Sequence, residues 1–179
     1  MLKVLIPLDG SSSSLYGVRH VVNEFRKSQD MEIHVLNVQA PFSRHVARYT
    51  SKPVRKAFHV DEAEKALAPA RQALDRSGIP YTVHMEVGNK ADCIADAVSR
   101  LHCDRIVMST ARKSSLVRLV QNSVTNQVIE RTTVPVEVIA GDTAPSLERM
   151  GIPAGVGGPP GFGDGGRLIL APRHPVWHE

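Results

Sequence analysis

The chain has 179 residues, 42% hydrophobic but only 4% aromatic, with a formal net charge of +4 and a pI near 9.3. That length suits one domain with an extension rather than two domains, and the composition excludes an aromatic-rich binding module in favour of a core of Val, Ile, Leu and Ala. The spacing of the two cysteines, Cys93 and Cys103, fits neither a CxxC redox pair nor a zinc-ligand set. Met1–Pro7 is too short for a secretory leader, and no apolar run approaches the length of a bilayer span, so a cytoplasmic protein with no membrane partner is expected.

Leu2–Leu8 is a short apolar run ended by Asp9 and Gly10, the pattern of a buried parallel strand. Ser11 to Ser14 offer N-caps. Leu15, Val18, Val21, Val22 and Phe25 then recur with a helical period, and Lys27–Asp30 close that helix in polar residues. Ile33–Val38 reads as a second strand. From Gln39 to about His59 the sequence reads as a long basic loop carrying Arg44, Arg48, Lys52, Arg55 and Lys56 without an acidic residue. Ala63, Ala66, Leu67, Ala70, Ala73 and Leu74 form a second helical stripe, stopped by Gly78 and Pro80.

Tyr81–Val87 alternates as a third strand closed by Gly88, and Ala91, Ile94, Ala95, Val98 and Leu101 mark a third helix. Arg105–Met108 is a fourth strand. Leu116, Leu119, Val120, Val124 and Val128 mark a fourth helix that ends near Arg131. Val134–Ala140 is the fifth strand, and Pro135, lacking a donor, places it at an edge or at its own beginning. Alternating strands and helices predict an α/β fold with a doubly wound, five-stranded parallel sheet. The domain is expected over residues 1–141. Residues 142–179, where Gly151–Glu179 holds most of the glycines, form an expected disordered tail. Only Arg167–Leu170 there has the makings of a short strand, and a free terminus is the preferred reading.

In such sheets ligands bind beyond the carboxyl ends of the strands, here carrying Asp9, Val38, Gly88 and Ser109. Asp9 can accept a hydrogen bond from a ribose or base, and can equally open the turn into the first helix. The segment Met108–Ser115 offers hydroxyls, Arg112, Lys113 and a helix start, a possible anion site, although an exposed polar loop is the preferred reading. There is no Walker loop, GxGxxG turn, GxSxG elbow or HExxH helix, so no catalytic residue is assigned and no enzyme is expected. His34 and His84 would face each other if the second and third strands pair, but too few ligands lie nearby for a metal. The basic loop reads as a solvated surface, and nucleic acid is not an expected partner because the helices carry mixed charge.

Three blocks of residues carry a resemblance. Val4–Ser11, Glu86–Ala91 with Ile94, and Asp104–Thr110 followed by Ser123, Val124 and Val134–Val136 resemble the universal stress protein family, over Met1 to about Gly141. The resemblance implies strand order 3-2-1-4-5 in an adenine nucleotide alpha-hydrolase-like fold, a stress-response role through unknown protein partners, and homodimers formed often through the fifth strand, here Val134–Ala140. Some members bind ATP through G-x-x-G, nine residues, then G-[ST], after the fourth strand. Here Ser109, Arg112 and Asn122 stand at the three glycines and only Ser123 matches. Glycine lets the backbone approach phosphate closely, so this departure implies that ATP is not bound as a cofactor. Pro7, Asp9, Val38, Met108, Ser123 and Val124 still match positions of the nucleotide site, which keeps an adenine-nucleotide sensor as the alternative. In that case Arg112 and Lys113 would hold phosphate by charge.

Overall fold

The computed structural model describes residues 1–110, 124–141 and, as backbone, 167–170. The elements in chain order are β1 (Leu2–Pro7), a 3-10 turn (Ser12–Ser14), α1 (Leu15–Ser28), β2 (Met31–Gln39), α2 (Arg44–Tyr49), α3 (Lys52–Arg76), β3 (Tyr81–Val87), α4 (Lys90–Leu101), β4 (Arg105–Thr110), α5 (Val124–Arg131), β5 (Val136–Ala140) and β6 (Arg167–Leu170). The sheet order is β3-β2-β1-β4-β5-β6. The five strands expected from the sequence run parallel in the order 3-2-1-4-5, and β6 joins antiparallel to β5.

Side chains alternate across the sheet as the pleat requires. Val4, Ile6, Ile33, Val35, Val107 and Ile139 pack under α1 and α3 with Val18, Val21, Leu67 and Leu74. Leu5, Leu36, Val38, Ile106, Met108, Val136 and Val138 pack on the other face under α4 and α5, with Ile94, Val98 and Val128. The helices leaving β1 and β4 therefore lie on opposite faces. The strand order reverses between these two neighbours, and a crevice opens there.

Two expectations are corrected. The basic stretch from Gln39 to His59 is largely helical: α2 takes Arg44–Tyr49 and α3 begins at Lys52. The cause is local. The Ser43 side chain accepts from the Val46 amide to cap α2, and Pro53 fits the first turn of α3, where an N–H is not needed. Arg55 donates to the carbonyls of Ala47 and Thr50, both at 2.6 Å, and ties the end of α2 to α3. One of the five cations that suggested a solvated loop thus closes a helical corner. The second correction concerns the tail. Arg167–Leu170 is a strand, registered against β5 by Val136↔Leu170, Glu137↔Ile169, Val138↔Leu168 and Ile139↔Arg167. An open sheet edge gives a short apolar run its missing hydrogen-bond partners. The rest of the tail lies outside the described residues.

One charged cluster is built into the sheet. Glu137 is 1% exposed, on the α1 side of β5. Its carboxylate lies 2.8 Å from Arg105 on β4 and 2.8 Å from His20 Nε2 on α1. Arg105 also pairs with Glu24, and His20 lies 3.3 Å from that residue. His20, Glu24 and Glu137 are spaced closely enough to hold a cation, and the Arg105 guanidinium is already among them.

Candidate ligand-binding site

A cavity of about 290 Å³ opens at the carboxyl ends of β1, β2, β4 and β5. Its floor is the α4/α5 face of four neighbouring strands: Pro7 from β1, Leu36 and Val38 from β2, Met108 from β4 and Val138 from β5. Ile94 of α4 and Val124 of α5 form the apolar wall, and Asp9, Ser11, Lys90, Ser109, Thr110 and Thr125 supply polar groups around it. The volume lies at the small end of the range for small-molecule sites, roughly 300–1,000 Å³.

The turn that presents Asp9 is held from below. The buried Asn37 amide donates to the Leu8 carbonyl at 2.8 Å, and the Leu8 amide continues the ladder to Leu36 at 2.8 Å. Asp9 Oδ1 then accepts from the Ser11 amide at 3.0 Å and the Ser11 hydroxyl at 2.6 Å. Partial burial pushes the Asp9 carboxyl upward, but the Ser11 hydroxyl and amide, with Lys90 nearby, outweigh it and hold the group below the ordinary carboxylate value. Asp9 therefore forms the turn into the first helix and also lines the cavity as an anion.

Ser109 is placed differently from its neighbour Met108. Its hydroxyl accepts from the Gly17 amide at 2.7 Å and lies 3.2 Å from the Ser14 carbonyl, to which it donates. Gly17 is the third residue of α1, and Ser14, at the N-cap, makes no side-chain cap of its own. Ser109 thus caps a helix from across the fold, and its hydroxyl is engaged there although the residue borders the cavity.

Pro7, Asp9, Val38, Met108, Ser109 and Val124 are brought together around one cavity. Arg112, Asn122 and Ser123 lie outside the described residues. Lys90, Ile94, Ser14, Thr110 and Thr125 border the cavity and were missed as site residues. Lys90 was the most accessible of these from sequence, since it follows Asn89, whose side chain caps α4 by accepting from Ala91 and Asp92 at 3.0 and 3.3 Å. His34 and His84 do meet, with Nδ1 and Nε2 3.1 Å apart, and Glu32 lies 3.0 Å from the other nitrogen of His34. They sit away from the cavity.

A parallel sheet wound on both faces, with its crevice between β1 and β4, defines a doubly wound α/β architecture. The sequence model of the Universal stress protein family matches residues 1–140, and the chain belongs to that family. Universal stress protein MJ0531 of Methanocaldococcus jannaschii is 29% identical over 139 residues, covering 76% of this chain and 81% of its own. Among solved structures, the protein MJ0577 superposes with a TM-score of 0.61 at 24% identity, over 78% of this chain and 95% of that one. The family member At3g01520 of Arabidopsis thaliana, solved with AMP bound, gives 0.56 at 16% identity, over 78% and 92%. At these identities the structures establish the fold. Among the described residues, no helix is long and apolar enough to cross a membrane.

Proposed function

We propose that this universal stress protein works in the cytoplasm as a non-catalytic sensor, holding an adenosine mononucleotide rather than ATP and acting through protein partners. The observation that carries this reading is the cavity itself. Its apolar floor of Leu36, Val38, Met108 and Val138 suits a flat base, and the Asp9 carboxylate at its mouth suits ribose hydroxyls. Its volume of about 290 Å³ favours a nucleoside-sized ligand over a triphosphate. AMP in the Arabidopsis relative supports the ligand class. The exclusion of ATP rests on Ser109, Arg112 and Asn122 standing where the binders' motif has glycines, and on the Ser109 hydroxyl being engaged by α1.

Calorimetry with adenosine, AMP and ATP on the purified chain tests this. Micromolar binding of AMP, weaker binding of ATP and loss of both in Asp9→Ala are expected. ATP binding more tightly than AMP would overturn the ligand preference. Absence of heat with AMP at millimolar concentration would overturn the sensor reading and leave a protein that acts through partners alone.

A further inference from the structure

Among the described residues that line the cavity, only Asp9 and Lys90 carry charge. Asp9 is committed to its turn through Ser11. Lys90 is exposed, and among the described residues no carboxylate forms an ion pair with it. It lies near enough to Asp9 to help keep that group ionised, without closing into a pair. The cavity therefore has an uncommitted cation on its α4 side.

Lys90 also stands where a helix disfavours it. It is the first residue of α4, next to the Asn89 cap. The helix dipole puts partial positive charge at that end, which favours acids and opposes cations. The acid of the first turn, Asp92, is turned instead to Arg131 on α5, at 2.7 Å. The Asn89 side chain already takes the amides of Ala91 and Asp92, so Lys90 is not needed as a cap. A lysine here brings the fold no ion pair, no cap and an adverse dipole. A residue that breaks a local rule without a structural return is characteristic of a functional site. A phosphate reverses the balance, because it supplies the missing negative charge to Nζ.

We propose, on the reading of the cavity as a nucleotide site, that Lys90 holds the phosphate of the bound mononucleotide and distinguishes it from the bare nucleoside. Base and ribose lie against the apolar floor and Asp9, and the phosphate turns toward α4. The anchor then comes from the helix after β3 and not from the loop after β4.

Calorimetry with AMP and adenosine on the full chain, on Lys90→Met and on Arg112→Ala/Lys113→Ala tests this. The wild-type chain should bind AMP roughly tenfold or more tightly than adenosine, as a charge-assisted contact allows. Lys90→Met should erase that preference while its adenosine affinity and urea midpoint stay at the wild-type level, and Arg112→Ala/Lys113→Ala should keep it. A preference retained in Lys90→Met would overturn the anchor and leave the nucleotide reading standing. Absence of binding by both ligands to the wild-type chain would overturn the two together. Acetylation of Lys90 by an amine-reactive ester, followed by peptide mapping, gives a readout on the wild-type chain alone. Saturating AMP should slow it more than saturating adenosine does, and equal protection by the two would overturn the anchor.

Discussion

The Gly17 amide donates a 2.7 Å hydrogen bond to the Ser109 hydroxyl, 92 residues further along the chain. A Cβ on Gly17 would come within 2.6 Å of that same oxygen and 3.3 Å of Val107 Cγ1. The helix end and the end of β4 are therefore fitted to each other, with a glycine on one side and a hydroxyl on the other. Ser109→Ala should cost about 1 kcal/mol by leaving the α1 amide uncapped. Gly17→Ala should cost roughly 1–3 kcal/mol through overpacking. In Gly17→Ala/Ser109→Gly the clash with the hydroxyl is gone, so the double variant should be more stable than the sum of Gly17→Ala and Ser109→Gly. Urea titrations of the four proteins give that coupling directly.

The cluster around Glu137 makes a sharper prediction. Arg105→Met removes the guanidinium from a carboxylate that is 1% exposed and leaves the His20 imidazole beside it. Loss of one partner of a buried pair costs on the order of 3 kcal/mol or more, much of it from the charge left behind. Replacing both, as Arg105→Met/Glu137→Leu, should recover a large part of the loss. Thermal unfolding of the single and double variants decides this, and additive losses would show that the residues act independently.

His84 sets a pH dependence. Burial, then the neighbouring His34 and Arg100, hold its imidazole below the ordinary value of 6.5, against the opposing pull of Glu86. The unfolded chain therefore takes up a proton near pH 6.5 while the folded chain does so only at lower pH. Stability should be at its plateau above that value, fall as the pH drops through it, and level off once the folded group also titrates. Urea midpoints between pH 7.5 and 5 measure the slope, and His84→Gln should flatten it.

The two thiols should react unequally. Burial pushes Cys103 up to about 11, and the side chain is 4% exposed. Burial and nearby Glu86 raise Cys93 as well, but that residue is only half-buried. Alkylation of the folded chain at pH 8 should modify Cys93 first and Cys103 only on unfolding, as peptide mapping after a timed quench would reveal.

Gly141 closes β5 beneath an aromatic ring. Its amide donates to Thr110 at 2.8 Å, and an added Cβ would fall within 1.8 Å of the Tyr16 ring. Gly141→Ala should therefore displace Tyr16 and cost roughly 1–3 kcal/mol. Tyr16→Ala in that background should relieve the overlap at the expense of its own packing, which chemical denaturation of the pair would separate.

The parallel core was legible because period and face agree along the chain. Buried strands such as Leu2–Leu8 and helical stripes such as Ala63–Leu74 each carry their own pattern, and alternation forces the crossovers. Asp9, Val38 and Met108 could be placed at one sheet end for the same reason. The helical hairpin of α2 and α3 was not legible, because Arg55 looks like any surface cation until its carbonyl partners are in place. The role of Ser109 in capping α1 depends on a contact between distant positions that no local pattern encodes. The pairing of β6 was equally hidden, since three apolar residues after an arginine in a glycine-rich stretch acquire a meaning only from the edge they meet.

Glu137 also bears on how the sheet assembles. A strand that slips by one residue turns every side chain to the opposite face. For β5 such a slip would rotate the carboxylate away from Arg105 and His20 and into the layer of Val128, Ile106 and Met108. Misaligned β5 would then carry a bare charge into hydrocarbon, whereas the four other residues of the strand are apolar and tolerate either face. One acidic side chain in an otherwise uniform strand thus acts as a proofreading device during folding, admitting a single alignment of the last parallel strand.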